Sequence, residues 1–360
     1  MAQVLQIYTD FKPLTLLGIM SGTSLDGLDL ALCDFWRENQ KFCYKIIKTE
    51  TISYPQELYR KLGKLFDSSA LQFCQTEVEF SHFMAQCVNR FLEKTEKKTH
   101  YIASHGHTVF HQPQTGLTKQ IGSGAILAAK TGISTICDFR TTDVALGGQG
   151  APLVPMGDTL LFPEYKGCLN LGGIANISKY NHAKSIAYDI SLCNIPLNFL
   201  AAQCGFPYDK YGNLAKKGAI SSALLQALNK PDYFTQNSAK SIGFELFAEY
   251  YRPLLESSSI ALEDKLRTMC EHIALQIAAN VTDLQKVLVT GGGAKNKFLM
   301  HLIKAKTDTK IIVPNEQLID FKEALIFAFL GYLRVHETNN CLSSVTGATK
   351  DSCCGAIYFA

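Results

Sequence analysis

No apolar run in this chain is long enough to span a bilayer. No block of lysine and arginine rises above "TEKKTH". The net charge of +3 is spread along the sequence, so nucleic acid is not an expected partner. The opening stretch, "MAQVLQIYTDFKPLTLLGIM", lacks the basic, apolar and small-residue succession of an export leader. The 12 cysteines contain no C-x-x-C and are irregularly spaced, mostly in apolar strings such as "ALCDF" and "TICDF". That pattern predicts buried reduced thiols, not a disulfide framework. There is no G-x-x-x-x-G-K-[ST] loop, no low-complexity segment and no short-period repeat. What remains is a soluble, cytoplasmic globular protein, and 360 residues suffice for two lobes with sizeable cores.

Strands and helices alternate along the chain, which predicts an α/β architecture. "LTLLGIM", the polar turn "SGTSLDG" and "LDLALCDF" read as a hairpin, and "KFCYKIIKTETISY" continues the strands. Helical spacing marks "PQELYRKLGKLFD" and "VEFSHFMAQCVNRFLEKT". "YIASHG" reads as a strand ending at Gly106, "QIGSGAILAAKTG" as a helix ending at Gly132, and "ISTICDF" as a strand. The Gly- and Pro-rich "ALGGQGAPLVPMGD" is the predicted lobe junction. Beyond it, "KGCLNL", the turn "GGIANIS" and "SIAYDI" repeat the opening pattern, with Asp189 at the predicted strand end and "SLCN" as a turn. "NIPLNFLAAQCGF" follows as a helix with Asn194 near its N-cap. "KVLVTGGGAKNKFLMHLIKA" reads as strand, glycine turn and helix, and "DFKEALIFAFLGYLRVH" as an apolar helix. The predicted division is residues 1–150, residues 151–335, and a segment 336–360 left unassigned.

Three small-residue turns carry the chemistry. "GTSLDG", Gly22 to Gly27, would let backbone N–H groups approach a phosphate, with Asp26 and Asp29 placed to hold Mg²⁺ through water. Read alone, it is equally a plain hairpin turn. "LGGIAN", Leu171 to Asn176, has the same two readings. "TGGGAKN", Thr290 to Asn296, permits close backbone approach to a nucleoside and precedes a helix whose N-terminus favours anions. Three such turns together argue for a nucleotide bound across an interlobe cleft.

"GIMSGTSLDGLDLAL", "SHGHTVFHQP", "ICDFRTTDVALGGQGAPLVP", "LNLGGIANIS", "YDKYGNLAKKG", "KSIGFELF", "VTGGGAKNKFLM" and "SSVTGATKDSCCGAIY" resemble, in order and spacing, the anhydro-N-acetylmuramic acid kinases. The likeness runs from about Leu16 to Tyr358. It implies the two-lobed, actin-like (ribonuclease H-like) ATPase fold of the sugar kinase, heat-shock ATPase and actin superfamily. It further implies ATP and Mg²⁺ as cofactors, a small anhydro-amino-sugar as substrate, and a homodimer. Carried over, Gly22, Thr23, Ser24, Leu25, Asp26, Gly27, Leu28 and Asp29 would hold ATP phosphates, with Mg²⁺ on Asp26 through water. Gly172, Gly173 and Asn176 would face them, and Gly291, Gly292, Gly293 and Asn296 would approach the adenosine. His105, Gln120, Asp138, Arg140, Asp143 and Glu323 would contact the sugar. Asp189 would activate the water that opens the 1,6-anhydro ring, with O6 taking the γ-phosphoryl group.

The sequence departs from the family pattern in four places, one of them "FRTTD", which keeps Arg140 and Asp143 but is less basic between them. "YDISLCN" stands where the family has Y-D-T-G-P-G-N, so Asp189 and Asn194 remain while Ile190, Ser191 and Cys193 replace Thr and small residues. His107 stands where the family usually has Gln, and Tyr211 where a second acid is common. An actin-fold kinase for a different sugar is therefore a second reading, and a non-catalytic ATP-binding switch a third. Residue by residue, His105, His107 and His111 also read as a metal site, though no acidic or cysteine partner is spaced to complete it. Arg140 reads as a carboxylate clamp or as a structural ion pair, and Glu323 as a functional or a paired buried acid.

Overall fold

A computed structural model describes residues 11–181, 184–235 and 241–360. The first ten residues and Lys240 of "KSIGFELF" lie outside the described residues. The chain forms two compact units. One takes in the chain up to Phe162 and again from Glu323 to Ala360; the other is Pro163–Lys322. The segment 336–360 thus belongs to the first unit.

The first unit is built on β1 (Leu14–Ser21), β2 (Leu28–Glu38), β3 (Lys41–Ile52), β4 (Tyr101–Gln112), β5 (Leu117–Ile121) and β6 (Thr135–Cys137). The second is built on β7 (Gly167–Leu171), β8 (Ile174–Asn181), β9 (Lys184–Leu192), β10 (Lys286–Thr290) and β11 (Lys310–Ile312). A last strand, β12 (Ala356–Tyr358), returns to pair with β6. In the first unit β1, β2 and β3 form an antiparallel meander, and β4 and then β6 add to β1 in parallel. In the second, β7, β8 and β9 form the meander, and β10 and then β11 add to β7 in parallel. The same order, β3-β2-β1-β4-β6 and β9-β8-β7-β10-β11, is the ribonuclease H-like order, present twice. The repetition of strand, turn and strand in the two halves of the sequence is thus a repetition of topology.

Central strands with helices on the sheet read as unbroken apolar runs. In β1, Leu16, Leu17 and Ile19 have no exposed surface. The helix Ala70–Leu92 supplies Phe80, Met84, Val88 and Phe91 to the core that holds Leu17 and Ile19. It starts at a capping box in which Ser69 and Gln72 satisfy each other's backbone N–H groups. The helix Glu316–Val335 carries the chain from the second unit into the first. It presses against β1 so closely that a Cβ at Gly18 would overlap the Ala324 carbonyl oxygen. Glycine in the middle of "LLGIM" is therefore a packing requirement.

Three local readings change. β4 runs on to Gln112, because Gly106 does not end it but carries a bulge: Ile19 pairs with Ser104 and Ser21 with His107, leaving one extra residue in β4. Gly106 takes the left-handed φ of 75° that such a bulge needs. "SLCN" is not a turn, since β9 continues through Leu192 and Asp189 lies inside the strand. The loop read as the lobe junction runs into the helix Val154–Leu161, which takes in its last residues.

Candidate active site

The turn Gly22–Gly27 joins β1 to β2, whose pairing closes at Ser21 and Leu28. Leu25 N–H donates to the Gly22 carbonyl at 3.1 Å, and Leu25 itself is left-handed at φ 58°. Thr23, Ser24 and Asp26 are exposed, and a Cβ at Gly22 would meet nothing nearer than Ser24 Oγ at 3.4 Å. The backbone is thus open on its outer side. Gly27 is the opposite case: a Cβ there would strike Thr51 Cγ2 at 2.8 Å and the Ile52 carbonyl at 3.0 Å. Leu28 is buried in the core, with no exposed surface. Asp29 accepts a 2.6 Å hydrogen bond from Thr51 Oγ1.

In the same unit His105, Arg140 and Glu323 form one cluster. His105 Nδ1–H donates to the Gly106 carbonyl, which leaves Nε2 to accept from Arg140 Nε at 3.1 Å and Nη2 at 2.8 Å. Arg140 Nη1 donates to the Gly150 carbonyl at 2.7 Å. Burial lowers Arg140 to about 10, and the negative charge of Glu323 opposes that shift. Burial also holds His105 well below its ordinary value, so its ring is neutral. Its face packs on Phe327 at 4.6 Å between ring centroids. Asp143 is fully buried and has its own donors: Gly150 N–H at 2.7 Å, Thr346 Oγ1 at 2.8 Å and Cys341 Sγ at 3.1 Å. Gly150 therefore links Arg140 to Asp143. Asp138 is exposed, left-handed at φ 58°, and accepts from Thr141 N–H and Oγ1 at the start of the helix Thr141–Ala145. Gln120 Nε2 donates to Thr118 Oγ1, which also meets His111 Nδ1. The three histidines are not gathered round one point: His105 is held by Gly106 and Arg140, His107 by Ser21, and His111 by Thr118.

In the second unit Gly172 and Gly173 form the two-residue turn between β7 and β8. Their carbonyls accept from Asn194, Cys193 and Ile195 N–H, so the turn caps the helix Asn194–Gln203. The Gly291–Gly293 turn follows β10 and packs on the end of β7. Gly291 is left-handed at φ 82°, and a Cβ there would lie 2.5 Å from Asn170 Oδ1; one at Gly293 would lie 2.7 Å from Leu171 Cβ. Gly292 has only Asn194 Nδ2, at 3.8 Å. Asn296 is the N-cap of the helix Lys297–Lys304, accepting from Leu299 N–H at 3.0 Å.

A cavity of about 870 Å³ opens beside Gly292, within the second unit, and Asn194, Asn198, Tyr211, Lys297 and Glu316 are among its walls. Sequence reasoning did not single out these lining residues as a group. Their one local signal is "DKYG", where Tyr211 is left-handed at φ 63° and lies under Lys297 Nζ at 4.6 Å from its ring centre.

Asn176 pairs with Asp189 across β8 and β9, while Ala175 pairs with Ser191, so Ile190 is the extra residue of a bulge. Ile190, Ser191 and Cys193 are all buried, and Ile190 and Cys193 belong to the apolar core of this unit. The residues that depart from the family pattern are thus turned inward. Asp189 Oδ2 accepts from Ile242 N–H at 2.9 Å and Ser241 Oγ at 3.1 Å, and its backbone carbonyl accepts from Tyr233 Oη at 2.7 Å. No hydrogen bond from the described residues is directed at Oδ1. Burial raises the Asp189 carboxyl above its ordinary value, against the lowering effect of its two donors.

The sequence pattern that defines the family "Anhydro-N-acetylmuramic acid kinase" matches residues 14–360. A protein named anhydro-N-acetylmuramic acid kinase from Mannheimia succiniciproducens is 37% identical, over 95% of this chain and 98% of its own. A protein of the same name from Haemophilus influenzae is 36% identical, over 97% and 99%. One from Sulfurimonas denitrificans is 32% identical, over 95% and 98%. No helix among the described residues is long and apolar enough to cross a membrane.

Proposed function

This chain belongs to the anhydro-N-acetylmuramic acid kinase family, and from that premise we propose that it opens 1,6-anhydro-N-acetylmuramic acid with water and phosphorylates it at O6. ATP is the phosphoryl donor, and the products are N-acetylmuramic acid 6-phosphate and ADP. The reaction belongs to murein recycling in the cytoplasm, and the working form is a homodimer.

The observation that carries the reading is the setting of Asp189. A general base needs a free lone pair and a pKa moved toward the working pH. Asp189 is oriented by two donors on Oδ2, its Oδ1 takes no hydrogen bond from the described residues, and burial raises its pKa. In the proposed step Asp189 removes a proton from water as that water attacks the anomeric carbon. The C1–O6 bond breaks, and O6 takes up the γ-phosphoryl group instead of a proton. The transfer relieves the charge on the leaving oxygen, so one carboxylate suffices where a glycosidase uses two.

Within the first unit, Gly22–Asp29 form a phosphate-binding turn; within the second, Gly172, Gly173 and Asn176 form another. The open backbone at Gly22 and the exposed hydroxyls of Thr23 and Ser24 suit that role. The cavity beside Gly292 has the volume of a nucleoside site, and Gly292 and Gly293 supply backbone to its wall. Asp26 is an exposed hard oxygen donor that fits Mg²⁺ through water. When bound, that ion neutralises phosphate charge. Arg140, kept cationic and aimed by His105 and Gly150, orients the sugar's carboxylate, with Glu323 beside it.

The test is a coupled ADP-release assay with and without the anhydro-sugar. Sugar-dependent ADP release is expected, with phosphate on O6 of the product. ADP release independent of the sugar, or ATP binding with no turnover, overturns the reading; the second result fits a nucleotide-binding switch.

A further inference from the structure

Beneath the turn Gly22–Gly27, and on no loop of its own, lies a buried polar chain that the reaction above does not use. His107 Nδ1 is 3.0 Å from Ser21 Oγ, and Tyr54 Oη is 2.8 Å from Ser21 Oγ and 2.9 Å from the carbonyl oxygen of Gly27. His107, Ser21 and Tyr54 are all buried. The direction of the chain follows from proton counting. A carbonyl only accepts, so the single phenolic proton of Tyr54 goes to Gly27. Were it given to Ser21, two oxygens would face each other at 2.9 Å with no proton between them. Tyr54 Oη therefore accepts from Ser21 Oγ–H, and Ser21 Oγ accepts from His107 Nδ1–H. The ring is the Nδ1–H tautomer, and burial holds it neutral by pushing its pKa down to about 4.

The chain binds both ends of one turn. Ser21 is the last residue of β1 and Gly27 the last of the turn, and the backbone between them bears the exposed Thr23, Ser24 and Asp26. Gly27 is also pressed on β3, where Thr51 and Ile52 leave no room for a side chain. The bulge at Gly106 is what brings His107 opposite Ser21; without the extra residue a different side chain would stand there. Buried chains of this kind rigidify what they hold when every member is satisfied.

We propose that His107 is a positioning residue for nucleotide binding, fixing the turn Gly22–Gly27 through Ser21 and Tyr54. This rests on the reading of that turn as a phosphate site.

The test uses the full chain and steady-state ADP release with the anhydro-sugar. His107→Leu and Tyr54→Phe are each expected to raise KM for ATP about tenfold, the scale of one buried hydrogen bond, with KM for the sugar unchanged. His107→Asn carries an amide N–H where Nδ1–H stands and is expected to restore KM for ATP to within about threefold of the wild type. The double variant Tyr54→Phe/His107→Leu is expected to cost no more than the larger single change, because links of one chain do not add. Should His107→Leu fail to fold, Tyr54→Phe, which removes one oxygen, decides alone. KM for ATP within about twofold of wild type in Tyr54→Phe overturns the proposal, as does an asparagine variant no better than the leucine one, or costs that add in the double variant. Wild-type protein with no ATP-dependent turnover is a different result: it removes the phosphate-site reading and the proposal with it.

Discussion

Asp189 and Asp143 are both aspartates of the family pattern, yet their surroundings differ. Asp143 gives one oxygen to Gly150 N–H and the other to Thr346 and Cys341, with no surface exposed. Its replacement by alanine strands three buried donors and is expected to cost on the order of 3 kcal/mol by chemical denaturation. No described residue donates a hydrogen bond to the other oxygen of Asp189, Oδ1. Asp189→Asn is expected to abolish sugar-dependent ADP release while ATP binding, followed by calorimetry, persists; near-normal turnover would disprove the base assignment. The pH dependence has a definite sign. Burial raises the folded-state pKa, so the acidic limb of kcat/KM should have its midpoint above about 3.9, the ordinary aspartate value. By the same linkage, ionising Asp189 costs stability as pH rises through that window, and Asp189→Asn should not lower Tm at neutral pH. The residue types of the site were legible in the sequence. Their partners were not, because Thr346 and Ile242 reach these carboxylates from 203 and 53 residues away.

Among the elements, the glycine turns are not equivalent. Gly293 is filled by Leu171 and Gly291 by Asn170, whereas Gly292 faces the cavity with nothing within van der Waals contact but the far end of Asn194. Gly293→Ala is therefore expected to lower Tm through overpacking, by about 1–3 kcal/mol in stability. Gly292→Ala should leave Tm unchanged and weaken ATP binding; equal effects of the two on Tm would contradict this division. The periodicity of the chain located these turns, since glycine clusters between apolar runs are local signals. It misread "SLCN", where Ser and Asn suggested a turn. The strand persists because Ile190, Leu192 and Cys193 are buried and the ladder to β8 absorbs the extra residue as a bulge. A bulge is decided by the neighbouring strand and leaves little local mark.

For the molecule as a whole, the first unit carries two buried neutral histidines, His105 and His107, and the second carries His272. Burial holds His105 well below its ordinary value and lowers His107 to about 4 and His272 to about 3. In the unfolded chain each takes up a proton near pH 6.5, so each favours unfolding as pH falls below that value, until its folded-state pKa is reached. The expected slope is at most about 1.4 kcal/mol per pH unit for each histidine. Thermal unfolding from pH 7 to pH 4 should show both units losing stability; a flat Tm over that range would refute the assignment of neutral buried rings.

The α/β class, the repeated strand, turn and strand units and the three glycine turns were determined by the sequence alone, because periodicity and small-residue punctuation act over a few residues. The order of the strands, the bulges at Gly106 and Ile190, and the hydrogen-bond partners of Asp143 and Asp189 were decided only by the tertiary structure. Each depends on burial and on hydrogen-bond donors from distant segments, and a carboxylate's chemistry is set by those surroundings more than by its place in the chain.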